Sequence, residues 1–173
     1  HPRDRRQRQM CIRDRMCTIR GRDIGFIFQE PMTALNPLKT IGEQVSEVIR
    51  IHKKINKYEA LNSAATILDR VGLPQNDFPL TKYPFELSGG QRQRVVIAMA
   101  LALKPKLIIA DEPSTALDVT TQAKLIKLLK KLVIEDNICL IMITHDLSVI
   151  ADMADKIIIM RNGEIVERGK INI

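Results

Sequence analysis

Short apolar runs alternate with longer segments of helical periodicity from residue 23 onward. Continuous apolar runs at residues 23–29, 106–111 and 138–144 are typical of strands buried on both faces. Residues 156–169 form two further apolar runs around Asn162–Gly163, a pair that predicts a two-residue β-hairpin turn. The pattern therefore predicts strands with helices between them.

Helical periodicity marks the segments between these strands. Apolar residues recur at helical spacing in residues 41–54, and Asn56 with Glu59 at the capping-box position predicts the start of a second helix over 57–71, which Gly72 would end. Three more helices are predicted at 95–103, apolar on every face, at 120–136, amphipathic, and at 147–154.

The alternation of strands and helices predicts an α/β fold with a mostly parallel sheet covered by helices on both faces. Residues 41–86 would form a mainly helical insert within a domain spanning 23–173, and residues 1–22 would lie outside that domain. With 173 residues the chain is about one domain long. No apolar run reaches the ~18 residues of a membrane span, and no signal peptide is visible, so a soluble cytoplasmic domain is expected.

The net charge of +7 comes almost entirely from one end of the chain. Residues 1–22 contain eight Arg and two Asp, which leaves +1 for the remaining 151 residues. The body therefore has no basic excess for nucleic acid, although an arginine-rich arm could bind phosphate backbones. This segment has no helical or strand period, and we favour its being non-native sequence.

The three cysteines predict no disulfide framework and no zinc site, because their spacing fits neither. Their positions are Cys11, Cys17 and Cys139. The last lies within an apolar strand and is expected in the core.

Two carboxylates follow one predicted strand directly. Asp111 and Glu112 would lie at the carboxyl edge of the sheet, where open α/β sheets bind ligands. Adjacent strand residues point to opposite sides, so they would take different roles: Asp111 could hold Mg²⁺, and Glu112 could act as a general base toward water. Alone, the pair is equally well explained as a solvated strand end.

A glycine-rich turn opens the apolar helix that precedes this strand. Ser88, Gly89, Gly90 and Gln91 place a hydroxyl and close backbone amides at a helix N-terminus, which favours phosphate binding. An ordinary serine N-cap explains the same residues. Gln29 and His145 each end a predicted strand, where Gln29 could reach a metal or water and His145 a γ-phosphate. For either residue alone a structural role is the better expectation.

The order of these features resembles the ATP-binding cassette (ABC) ATPase family over residues 23–169. The resemblance implies a Q-loop at Gln29, a signature turn at Leu87–Gln91, and a Walker B strand at Leu107–Asp111. It also implies that Glu112 is the catalytic base, that Ser114–Asp118 is the D-loop, and that His145 is the switch histidine. The implied fold is the mostly parallel sheet of P-loop NTPases with a helical signature subdomain, its N-terminal part incomplete.

Longer stretches look like the ATPase subunits of bacterial oligopeptide, dipeptide and nickel importers. The most specific are "TALNP" after the Q-loop and "DEPSTALDV" after the Walker B strand. The implied cofactors are ATP and Mg²⁺. The implied partners are a second ATPase subunit bound head to tail, so that Ser88 and Gly90 face a γ-phosphate held by the other subunit, membrane permease subunits, and indirectly a substrate-binding protein. Asp118 would belong to the same nucleotide site, and the enzyme would sit on the cytoplasmic face of the plasma membrane.

No stretch of the chain fits the phosphate loop G-x-x-x-x-G-K-[ST]. In the family this loop precedes the Q-loop by several tens of residues, and only 28 residues precede Gln29, so we expect the chain to be a fragment that does not hydrolyse ATP by itself. The adenine-stacking aromatic would be missing with it. Alternatives are an importer ATPase for nickel or another small solute, a soluble ABC ATPase outside transport, and a non-catalytic interaction module.

Overall fold

The computed structural model describes Met16, residues 18–115 and residues 117–171. Two compact units divide between Met142 and Ile143. A three-stranded sheet in the order β1-β2-β3 comprises β1 (Ile24–Ile27), β2 (Leu107–Asp111) and β3 (Cys139–Ile143). Strand β1 runs parallel to β2, with Ile27 opposite Ala110, so the predicted parallel pairing is confirmed.

The parallel sheet is flanked by helices, as predicted, and in the described residues one face of the β1–β2 pair is fully buried while the other is partly buried. Alternate positions Ile27, Ile108 and Ala110 are completely buried, whereas Phe26, on the opposite face of β1, is 39% exposed. Side chains alternate between the two faces of a strand, so the degree of burial differs between neighbouring positions of one apolar run.

Cys139 is exposed, which corrects its expected place in the core. It begins β3, at the end of the strand order, and shares a face with Ile141 and Ile143, which are 51% and 50% exposed. The intervening Leu140 and Met142 pack against the core cluster. Alternation along an edge strand therefore decides which residues of this apolar run are buried.

The helices of the insert begin and end where short polar signals place them. A short helix α1 (Pro31–Ala34) precedes α2 (Ile41–His52), whose N-cap Thr40 forms a reciprocal capping box with Glu43. Helix α3 (Lys57–Arg70) starts at Asn56, which accepts a hydrogen bond from the backbone amide of Glu59, as predicted. Gly72 follows with φ of +76°, the left-handed conformation that ends the helix.

Two longer helices complete the first unit. Helix α4 (Gly89–Leu101) buries its apolar residues against the sheet and the insert, and it begins six residues earlier than the apolar pattern indicated. Helix α5 (Val119–Glu135) buries Leu125, Leu129 and Leu132 on one stripe, in agreement with its predicted amphipathic pattern. Among the described residues, no helix is long and apolar enough to cross a membrane.

The second unit contains α6 (Leu147–Met153) and an antiparallel hairpin of β4 (Lys156–Arg161) and β5 (Glu164–Lys170). Asn162 and Gly163 form the two-residue turn, with φ of +51° and +82°. Positive φ at both positions is the requirement of a type I′ turn, which confirms the hairpin predicted from the Asn-Gly pair.

Most of the arginine-rich segment, residues 1–15 and Cys17, lies outside the described residues. Its last residues make local contacts near the start of β1: the backbone amide of Gly21 donates to the carbonyl of Ile24 at 2.9 Å, and Arg22 pairs with the adjacent Asp23 at 2.7 Å. The domain boundary at residue 22 stays a prediction.

Candidate functional site

The site is organised around the ends of β1 and β2. Because these strands are parallel and in register, the residues that follow each of them emerge at one edge of the sheet. Gln29 lies two residues beyond β1 and Glu112 one residue beyond β2. The Gln29 Nε2 group donates a hydrogen bond to Glu112 Oε2 at 3.0 Å, so the structure brings together two residues that are 83 positions apart in sequence.

Glu112 is held from a second side by Thr115. The Thr115 hydroxyl donates to the same Oε2 atom at 2.8 Å. The Glu112 backbone has φ of +43°, an uncommon conformation for a residue with a Cβ, which turns the chain sharply out of β2. The carboxylate is therefore oriented by two donors on a strained turn, an arrangement suited to presenting a base at the sheet edge.

Asp111 is the last residue of β2. It lies on the same, partly buried face of the strand as Ile109. No group of three or more His, Cys, Asp or Glu side chains converges anywhere in the described part of the chain. Magnesium bound with a nucleotide needs no such group, because it typically uses one or two carboxylates together with phosphate oxygens and water. A role for Asp111 and Gln29 as metal ligands stays a prediction.

The signature turn, Leu87–Gln91, forms a reciprocal capping box at the start of α4. The backbone amide of Gln91 donates to Ser88 Oγ at 3.4 Å, and the backbone amide of Ser88 donates to Gln91 Oε1 at 2.8 Å. Ser88 is therefore the N-cap of α4. The turn is still exposed at the N-terminus of a helix, a position that favours the binding of a phosphate.

The two glycines of this turn have different surroundings. Gly89 is exposed, and a Cβ added there would meet Leu117 Cδ2 at an ordinary 3.5 Å. Gly90 is buried, and its added Cβ would lie only 2.6 Å from Cγ2 of Thr121. The glycine at position 90 is therefore required by close approach within this chain, whatever it does toward a ligand.

Asp118, expected at the nucleotide, is the N-cap of α5. Its Oδ1 accepts from the backbone amide of Thr121 at 2.9 Å. Hydrogen bonds from the side chain and the backbone of Thr121 lower the pKa of the Asp118 carboxyl from its ordinary value of 3.8. The capping role was missed, although an aspartate directly before a helical pattern signals it.

Three further residues that support the site were not predicted. Gln93, fully buried on α4, donates through Nε2 to the carbonyl of Phe28 at 3.4 Å, next to Gln29. Arg92 Nε donates to the carbonyl of Pro84 at 2.7 Å, which secures the segment entering the signature turn. Thr115 holds Glu112. Nothing in a single sequence separates these polar residues from solvated ones, because the contacts depend on packing.

His145 belongs to the second unit, in the turn between β3 and α6. The backbone amide of Asp146 donates to Thr144 Oγ1 at 3.0 Å and shapes this turn. A shared site of His145 with Glu112 stays a prediction.

Curated relatives with similar sequences are import proteins. The chain is 52% identical over 156 residues to the glutathione import ATP-binding protein GsiA of Salmonella choleraesuis (strain SC-B67), covering 90% of this chain and 25% of that protein. It is 51% identical over 156 residues to a putative peptide import ATP-binding protein of Brucella melitensis, covering 90% of this chain and 46% of the relative. The chain therefore spans a quarter to a half of the length of these relatives.

Solved structures with similar folds are ATP-binding cassettes. The dimeric cassette MJ0796 bound to ADP and Pi matches with a TM-score of 0.79 and 36% identity, covering 92% of this chain and 67% of that one. The structure of cbiO1 from Clostridium perfringens, part of the ABC transporter complex cbiONQ, matches with a TM-score of 0.75 and 30% identity, covering 86% and 57%.

The sequence profile of the family described as ABC transporter matches residues 4–115, which contain Gln29, Leu87–Gln91 and strand β2. The profile covers more than half of the chain, and the fold agrees with it. This chain belongs to the ABC transporter family, as part of an ATPase domain.

Proposed function

We propose that this chain is part of the ATP-hydrolysing subunit of a bacterial ABC importer that takes up oligopeptides or dipeptides. The observation that carries the proposal is the 3.0 Å hydrogen bond from Gln29 to Glu112 at the carboxyl edge of the parallel strands. It brings a predicted Q-loop and a predicted base together where this fold binds ligands. The peptide substrate is supported by the relatives named for glutathione and peptide import.

Glu112 would act as the general base. In hydrolysis, water oxygen forms a bond to the γ-phosphorus, its proton passes to the Glu112 carboxylate, and the bond to the bridging oxygen of ADP breaks. The bonds from Gln29 and Thr115 fix the orientation of the carboxylate before reaction. Fixed orientation matters because catalysis of phosphoryl transfer depends mainly on positioning and charge stabilisation.

Asp111 and Gln29 have the donor chemistry for Mg²⁺, which prefers carboxylate and carbonyl oxygens. The Gln29 amide nitrogen is directed at Glu112, so its carbonyl oxygen is the atom suited to a cation. Bound Mg²⁺ would neutralise charge on the phosphate oxygens.

The signature turn would contact a nucleotide held by a second, head-to-tail ATPase subunit, and His145 would contact the γ-phosphate. The insert and the segment after Gln29 would contact permease subunits at the membrane.

Glu112→Gln tests the proposal in the complete gene product. This change preserves size and polarity but removes the proton acceptor, so ATP hydrolysis should fall below detection while ATP binding persists and a closed dimer accumulates. Glu59→Gln, on the surface of α3, is the matched control and should hydrolyse ATP normally. Near-normal phosphate release by Glu112→Gln would refute the role of Glu112. Uptake of a labelled dipeptide, compared with nickel, by cells carrying each variant identifies the transported solute.

A further inference from the structure

We propose that Thr121 is a positioning residue that holds the signature turn against the D-loop of the same chain. Thr121 lies in the first turn of α5, directly after the D-loop, Ser114–Asp118, and contacts Gly90 of the signature turn. As a statement about catalysis this inference rests on the proposed ATPase function. As a statement about coupling between two loops it rests on geometry alone.

One side of Thr121 binds the end of the D-loop. Its backbone amide donates to Asp118 Oδ1 at 2.9 Å. This bond is to a carboxylate acceptor, which makes it stronger than a hydrogen bond between neutral groups.

The methyl group of Thr121 sets the distance to the signature turn. Its Cγ2 atom would lie only 2.6 Å from a Cβ added at position 90, so α4 and α5 approach too closely here for a larger residue to fit without a shift. At the neighbouring Gly89 the corresponding distance to Leu117 is 3.5 Å, which leaves room for a methyl group. Of the two signature glycines, only Gly90 is constrained by this packing.

Thr121 contacts both loops from one position in the first turn of α5. A β-branched side chain in a helix has few χ1 rotamers, which limits how far Cγ2 can move from Gly90 while the backbone amide stays bound to Asp118. The signature turn and the D-loop carboxylate consequently keep a fixed relation, and in a head-to-tail dimer both would approach the partner's nucleotide as one body.

A double-mutant cycle in the complete gene product tests this coupling. Gly90→Ala places a methyl group against Cγ2, so it should lower the unfolding temperature by several degrees and speed amide hydrogen exchange at residues 118–122. Thr121→Ser removes Cγ2 but retains the hydroxyl, so Gly90→Ala combined with Thr121→Ser should regain the stability and exchange of Thr121→Ser alone. Gly89→Ala is the matched control and should leave both measurements at wild-type values. If Gly90→Ala does not fold, recovery of folded protein by the second change is the same result.

Thr121→Ser and Thr121→Val test the positioning role. Serine lacks Cγ2, so kcat for ATP should fall on the order of tenfold with KM unchanged, whereas valine keeps a methyl group toward Gly90 and should stay near wild type. A Gly90→Ala defect that Thr121→Ser fails to relieve would overturn the coupling. A Thr121→Ser variant with wild-type kcat would overturn the positioning role. If the wild-type protein itself hydrolyses no ATP, the proposed function fails, and the stability and exchange cycle still decides the coupling.

Discussion

Small polar residues at the starts of helices can either cap the helix or bind a ligand. Ser88 and Asp118 both supply an oxygen to orphan backbone amides in the first turn of a helix, and the same oxygens suit a nucleotide or its metal. The structure shows the capping role for both. Glu112 differs, because its carboxylate accepts hydrogen bonds from one side chain distant in sequence, Gln29, and from another across a turn, Thr115.

The lowered pKa of Asp118 predicts a contribution to stability that depends on pH. A carboxylate whose pKa is lower in the folded state stabilises the fold fully above its ordinary value of 3.8, and the contribution is lost as the pH falls below that value. Asp118→Asn keeps a good N-cap but cannot titrate. We expect the unfolding temperatures of the wild type and Asp118→Asn to change equally with pH near neutrality. Below pH 3.8 the unfolding temperature of the wild type should fall more steeply.

Thermal unfolding of the chain followed by circular dichroism across this pH range checks the expectation. Asp77→Asn serves as the control, because Asp77 lies in the loop after α3 and caps no described helix. Parallel curves for wild type and Asp118→Asn down to the lowest pH would contradict the assignment of a folded-state pKa shift to Asp118.

At the scale of elements, arginines join the end of helix α3 to helices α4 and α5. Arg94 on α4 donates to the carbonyl of Val71 at 2.8 Å and so satisfies the C-terminus of α3. Arg70, at the end of α3, binds Asp136 with two hydrogen bonds of 2.9 and 3.0 Å, which ties α3 to the end of α5. These contacts orient the insert by its polar ends, while its apolar faces supply most of the burial.

Replacing Arg70 should reveal the value of this two-bond geometry. Arg70→Lys keeps the charge but cannot form parallel bonds, so we expect a loss of about 1 kcal/mol, the upper range for a partly exposed pair, and a fall of ~2–4 °C in unfolding temperature. The loss should shrink at high salt. Lys39→Gln, which breaks the more exposed single contact with Glu47 at 2.6 Å, is the control and should cost less. Equal effects in a salt-dependent melting series would contradict the argument.

At the scale of the whole molecule, the chain carries the groups that would act on a nucleotide without the loop that would hold its phosphates. Lys39, Lys53 and Lys54 lie beside α2 and outside any glycine-rich strand-to-helix turn. Phosphate binding by a P-loop needs a nest of backbone amides together with its lysine. We therefore expect the chain alone to bind nucleotide weakly or not at all.

We predict that the 173-residue chain alone shows no magnesium-dependent ATP hydrolysis. A chimera that places the phosphate-loop region of a related import ATPase in front of residue 23 should hydrolyse ATP, because it restores the missing phosphate contacts. A phosphate-release assay compares the two, with the Glu112→Gln chimera as the inactive control. Turnover by the bare chain that Glu112→Gln abolishes would disprove the prediction and indicate an unrecognised nucleotide site.

The arginine-rich segment is the other question at this scale. The family profile begins matching at residue 4, whereas the composition of the segment indicates a non-native arm. We predict that deleting residues 1–16 leaves the unfolding temperature unchanged, since the segment contributes charge but no apolar period. A fall of more than a few degrees in calorimetry, about 1 kcal/mol for a domain of this size, would show that the segment packs on the body.

Features set by a few neighbouring residues could be predicted from the sequence. The Asn162–Gly163 turn, the Asn56 cap and the stop at Gly72 each depend on the backbone preferences of one or two residues, and each was found where it was expected. The sequence likewise predicted that Gln29 and Glu112 lie at one edge of the sheet, because residues that follow parallel strands emerge at the same edge.

Burial and long-range contact were decided by the tertiary structure. The apolar run of β3 gave no sign that Cys139 would be exposed, because apolarity does not reveal which alternate positions a strand covers. The bond from Gln29 to Glu112 and the contact of Thr121 with Gly90 arise where separate elements meet in register. Such distances depend on how helices and strands pack, and packing is a property of the assembled fold rather than of any local pattern.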